Sequence, residues 1–136
     1  MSKAMSRSTK TVAIVVPLCN RKELTADEEI SFRHLTQFLG KYEKYLVAPK
    51  HLDVDDRGLK IKRFDDRFFG SPLANTRLML SPHFYKAFQE YRYILVYQLD
   101  ALVFSDQLLE WCDTDLDYIG APWLNADLAM WRRGGE

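Results

Sequence analysis

The sequence predicts an α/β fold with a mainly parallel central sheet flanked by helices. Three observations carry that prediction. The run Val12-Ala13-Ile14-Val15-Val16 is continuous and largely β-branched, and it stops at Pro17. Such runs suit strands buried on both faces of a parallel sheet. Further strand-sized runs recur along the chain, with helix-start signals between them, which is the pattern of strand–helix units. The length, 136 residues with 47% hydrophobic, is enough for one compact domain but not two.

The elements follow in order. Residues 1–10 hold Lys3, Arg7 and Lys10 among serines, and only the short strand-like run ending at Pro17 follows rather than the apolar core of a signal peptide, so they read as a disordered start without a secretory signal. The first strand is Val12–Val16. Thr25 and Glu28 have capping-box spacing, so a helix is expected from there to about Leu39, stopped by Gly40. Ile30, Phe32, Leu35, Phe38 and Leu39 supply its apolar face. Tyr45–Ala48 is a second strand ending at Pro49, residues 50–58 are a charged loop, and Leu59–Phe64 is an edge or half-exposed strand.

Ser71-Pro72 and Ser81-Pro82 each place a capping serine before a proline, predicting helices over 72–80 and 82–90. Tyr93–Leu99 is the most strand-like stretch and is expected at the centre of the sheet. A brief helix should run from Ser105-Asp106 to about Trp111, and Asp117–Gly120 should form a last short strand.

Composition excludes several function classes. Lys+Arg and Asp+Glu both number 19, which argues against nucleic-acid binding by bulk charge. No apolar run approaches the roughly 18 residues of a membrane span. Cys19 and Cys112 are too far apart in sequence for a disulfide framework or a zinc motif, which fits two free thiols in a reducing, cytoplasmic setting. Dinucleotide, P-loop, nucleophile-elbow and dithiol signatures are absent. The charge is split: residues 1–92 carry 17 basic and 11 acidic groups, whereas 93–131 carry seven acids and no Lys or Arg. Such acids are ordinary solvated loop residues or holders of a divalent cation.

In parallel sheets ligands bind beyond the carboxyl ends of the strands. Pro17 ends the first strand and brings Asn20 and Arg21 above the sheet. An Asn amide can read a base or ribose and an Arg can pair with phosphate, or both can sit in a solvated turn. Asp65 follows the third strand and could accept from a ribose hydroxyl or a base N–H, or belong to a solvated loop; Arg77 lies on the next helix. Gln98 and Asp100 follow the fourth strand. A carboxylate at the end of a buried strand is costly without a partner, which favours a cation or donated hydrogen bonds over a local turn cap.

The segment Val15-Val16-Pro17-Leu18-Cys19-Asn20-Arg21 resembles the opening of nucleotide-sugar glycosyltransferases of the GT-A, Rossmann-like type. Tyr97–Leu102 falls where those enzymes carry Asp-x-Asp. Val47-Ala48-Pro49, Arg63–Asp66, Phe68–Ser71, Arg77–Ser81 and Tyr118–Trp123 resemble an uncharacterised bacterial family of that type. The likeness spans about residues 11–124, the expected nucleotide-sugar-binding domain.

The resemblance implies transfer of a sugar from a nucleoside diphosphate sugar to an acceptor hydroxyl, with a divalent metal, Mn²⁺ or Mg²⁺, on the diphosphate. Asp100 would be the metal ligand. Pro17, Asn20, Arg21, Asp65, Arg77 and Gln98 would complete the donor site. There are three departures from the family pattern: Gln98 replaces the first Asp, Asn75-Thr76 stands in place of Tyr-Asn, and residues 125–136 are read as a truncated tail. The chain is thus expected to be the donor-binding N-terminal half alone, with the acceptor's base in the other half and activity in doubt. A different class of reading is a non-catalytic α/β remnant that associates through an exposed sheet edge, giving a homo-oligomer. A nucleotidyltransferase would need a Gly-rich phosphate loop that is not visible here.

Overall fold

The computed structural model describes residues 10–120. The expectations placed on residues 1–9, on Ala121–Trp123 and on the tail 125–136 lie outside the described residues. Residue 10 does not belong to a frayed start, because Lys10 opens the first strand.

The described chain is an α/β fold built on a four-stranded, all-parallel sheet. Strands β1 (Lys10–Pro17), β2 (Glu43–Pro49), β3 (Lys60–Phe64) and β4 (Tyr91–Val96) lie in the order β3-β2-β1-β4. Their register is set by pairs such as Val15 with Tyr45, Ile14 with Leu95 and Val47 with Lys62. Side chains alternate across a strand, so β1 and β2 feed two cores. Ala13, Val15, Tyr45 and Val47 point to one, with Phe68, Leu78, Phe84 and Phe88; Ile14, Val16 and Leu46 point to the other, with Phe32, Leu35 and Leu39. That two-sided burial is why β1 reads as an unbroken apolar run.

Helix α1 (Ala26–Phe38) covers the second core. It starts with the expected reciprocal cap: Glu28 N–H donates to Thr25 Oγ1, and Thr25 N–H donates to the Glu28 carboxylate at 2.7 Å. It ends one residue short of Leu39, and buried Lys44 donates to the Gly40 and Tyr42 carbonyls just beyond. A 3-10 turn (Asp66–Phe68), α2 (Pro72–Met79) and α3 (Pro82–Lys86) cover the first core. Ser71 caps α2 through Ala74 N–H, but Ser81 makes no such bond and α3 stops well before residue 90. Helix α4 (Leu108–Cys112) starts later than expected, with Asp106 accepting from Leu108 N–H. Gly70 has φ of 101°, a region L side chains avoid, where the chain turns from the 3-10 segment into α2.

Two expectations are corrected. The Tyr91–Val96 strand is not central; among the described residues it is an edge, and β1 and β2 are the inner strands. Its side chains are accordingly half-buried from Tyr93 to Val96. Asp117–Gly120 forms no strand, and Tyr118 is 84% exposed. The other edge, β3, is where the sequence placed it. Among the described residues no helix is long and apolar enough to cross a membrane.

Candidate functional site

Connections from β1 run towards β2 and β3, whereas β4 lies on the opposite side of β1. The carboxyl ends of β1 and β4 therefore flank the point where strand order reverses, the place where parallel sheets form a ligand crevice. A cleft of about 180 Å³ opens there. Pro17, Leu18 and Cys19 line it from β1, and Gln98, Leu99 and Asp100 from beyond β4. Glu28 and Phe32 of α1 and the loop residues Val54, Asp55 and Arg57 complete the wall.

Four of the sequence-selected residues meet in this cleft: Pro17, Arg21, Gln98 and Asp100. Three do not. The Asn20 side chain instead passes Gly70, with Nδ2 3.8 Å from where a Cβ would stand. Asp65 caps the 3-10 turn, accepting from Arg67 N–H at 3.0 Å. Arg77 is exposed on α2, whose buried Leu78 packs on the face opposite α1.

Asp100 is not the buried, costly carboxylate that the sequence led one to expect. β4 ends at Val96, and Asp100 is exposed in a turn closed by Ala101 N–H donating to the Gln98 carbonyl at 3.0 Å. Its carboxylate has no hydrogen-bond partner or ion pair among the described residues. Among the same residues no group of three or more His, Cys, Asp or Glu side chains gathers to hold a metal. At this turn the described residues thus offer a cation one exposed carboxylate.

The arginines of the cleft are already paired. Arg21 binds Glu28 through both terminal nitrogens and also donates to the Glu23 carbonyl. Its guanidinium, followed by the Thr25 backbone N–H, holds the Glu28 carboxyl below the usual range. Arg57 makes the same two-pronged pair with Glu29, at 2.8 and 2.5 Å, and lies over the Phe32 ring at 5.2 Å. Arg57 was missed in the sequence because nothing separates it from a solvated charge; only the fold of the 50–58 loop carries it to the cleft. Its φ of 51° and that of Gly58, 77°, mark the turn that does so.

Fold and cleft together define an α/β protein with a crevice at the switch point of a parallel sheet. The chain belongs to the family described as Protein of unknown function (DUF5672), whose model matches residues 58–135. The match takes in β3, β4 and the Gln98–Asp100 turn, while the β1 wall of the cleft precedes it. No curated protein and no solved structure matches the chain.

Proposed function

We propose that the cleft between the ends of β1 and β4 binds the diphosphate side of a nucleoside diphosphate sugar, as the donor-binding part of a glycosyltransferase. The observation that supports this most is the exposed Asp100 carboxylate, unpaired among the described residues, which lines the switch-point crevice with Gln98 and Pro17. A divalent ion carried on the diphosphate would neutralise the leaving group as a Lewis acid. Asp100 would hold that ion's protein-facing side, Arg21 would pair with phosphate oxygens after leaving Glu28, and Gln98 would donate or accept at the ligand's edge. At about 180 Å³ the cleft is below the roughly 300 Å³ at which small-molecule sites begin, so it would enclose one part of such a ligand.

Calorimetric titration of the full chain with UDP, GDP, ADP, CDP and dTDP, with and without Mn²⁺ or Mg²⁺, tests the reading. Metal-dependent binding of at least one, lost in Asp100→Ala, is expected. Folded protein with no metal-dependent binding to any of them overturns it.

One observation favours a second reading, association of two copies through β4. The β3 edge carries Lys60, Lys62 and Arg63, charges of the kind that block edge pairing, whereas Tyr91–Val96 carries only Arg92. Light scattering that returns a dimer dispersed by Leu95→Lys supports this reading, and a monomer rejects it.

A further inference from the structure

Ser31 is a buried hydroxyl on the apolar face of α1, 1% exposed. Alanine would fill the same place with better helix propensity, so the hydroxyl needs a reason. Its partners supply one. Ser31 Oγ donates to the Ala101 carbonyl at 2.5 Å. The Tyr97 hydroxyl lies 3.0 Å from Ser31 Oγ and 3.2 Å from the same carbonyl. One turn further along α1, on the same face, His34 Nδ1 is 2.9 Å from the Val103 carbonyl.

On the near side the backbone is pinned as well. Tyr97 N–H donates to the Val15 carbonyl at 2.8 Å, and Leu99 is buried in the α1-side core. Asp100 therefore carries a solvent-facing carboxylate on a backbone held at both ends. That arrangement is what fixes a ligating group before its ligand arrives. We infer that Ser31 and Tyr97 are positioning residues, which act through the Ala101 carbonyl to fix Asp100 at the cleft. The inference rests on the proposed diphosphate reading of that cleft.

The test uses the full chain and whichever nucleoside diphosphate of the panel above binds tightest with Mn²⁺. Ser31→Ala and Tyr97→Phe should each weaken the Mn²⁺-dependent affinity about tenfold or more, the scale seen when supports of metal ligands are removed. Metal-free affinity should be unchanged. In an Asp100→Ala background the further loss from Ser31→Ala should vanish, because the two act as one unit. Hydrogen exchange at the Ala101 amide should speed up in both single variants, and Thr36→Val, which alters an exposed hydroxyl elsewhere on α1, should change nothing. Wild-type protein that binds no diphosphate overturns the functional reading and this inference with it. Metal-dependent binding that falls in Asp100→Ala but persists in Ser31→Ala and Tyr97→Phe overturns this inference alone.

Discussion

Arg21 and Glu28 close a two-pronged ion pair at the mouth of the cleft, with Nη1 2.8 Å from Oε2 and Nη2 2.6 Å from Oε1. In the proposed diphosphate site an incoming phosphate would compete with that carboxylate for the guanidinium. Glu28→Gln removes the competitor and keeps a side-chain acceptor for Thr25 N–H, since glutamine also serves in a capping box. Exposed ion pairs contribute up to ~1 kcal/mol. Diphosphate affinity is therefore expected to tighten by up to about fivefold in Glu28→Gln and to fall in Arg21→Ala, read by calorimetry. Unchanged affinity in both variants would mean that Arg21 never leaves Glu28.

A second prediction concerns acid stability. At the opposite end of the sheet Glu43 on β2 receives the Tyr91 hydroxyl from β4, Lys10 from β1 at 2.9 Å and Lys60 from β3 at 3.0 Å. One carboxylate thus ties all four strands. The Tyr91 hydroxyl first, then the two lysines, bring its pKa from 4.5 to about 2. The folded value lies below the unfolded one, so the stabilisation is present in full above 4.5 and is lost as pH falls towards 2. Urea midpoints measured at pH 7, 4 and 2.5 should fall more steeply for wild type than for Glu43→Gln. Parallel curves would show that the carboxylate does not report on folding.

How much of this was legible in the sequence differs between fold and site. Val12–Val16 and the Thr25–Glu28 box were readable because burial on both faces and helix capping are local, and each leaves a local pattern. Strand order is not local. Tyr93–Val96 looks like an inner strand by composition, yet it borders only β1 among the described residues. The site divides the same way. Pro17 ends β1, and Arg21, Gln98 and Asp100 sit shortly after the two strands that flank the switch point, so the carboxyl-end rule reached them. Asp65 follows β3, which β2 separates from β1, and its carboxylate serves the turn that begins there.

Asp65 and Asp100 are consequently expected to behave differently. Asp65→Ala removes the acceptor for Arg67 N–H and should cost roughly 1 kcal/mol, as capping losses do. It should leave diphosphate affinity unchanged. Denaturant midpoints and calorimetry on the same preparation check both halves. A loss of affinity without a loss of stability would place Asp65 in a ligand site after all.

The last prediction weighs the core under α2 and α3. Phe84 is fully buried, with ring centres of Phe64, Tyr85 and Phe88 at 5.8, 5.1 and 5.5 Å. Truncation to alanine removes its transfer energy and leaves a void that neighbouring rings can only partly fill. That combination costs about 3–5 kcal/mol, against a typical total stability of about 5–15 kcal/mol. Phe84→Ala is therefore expected to lower the melting temperature sharply or prevent folding, while Phe84→Leu, which keeps most of the volume, should remain folded. Tyr85 is the control on the adjacent residue. It is half-exposed, and its hydroxyl donates to the Met79 carbonyl at 2.6 Å, so Tyr85→Phe should cost about 1 kcal/mol, the scale of a single hydrogen bond. Circular dichroism melts should rank the variants Tyr85→Phe, Phe84→Leu, Phe84→Ala from most to least stable. A Phe84→Ala melt equal to that of Tyr85→Phe would show that α3 does not close this core.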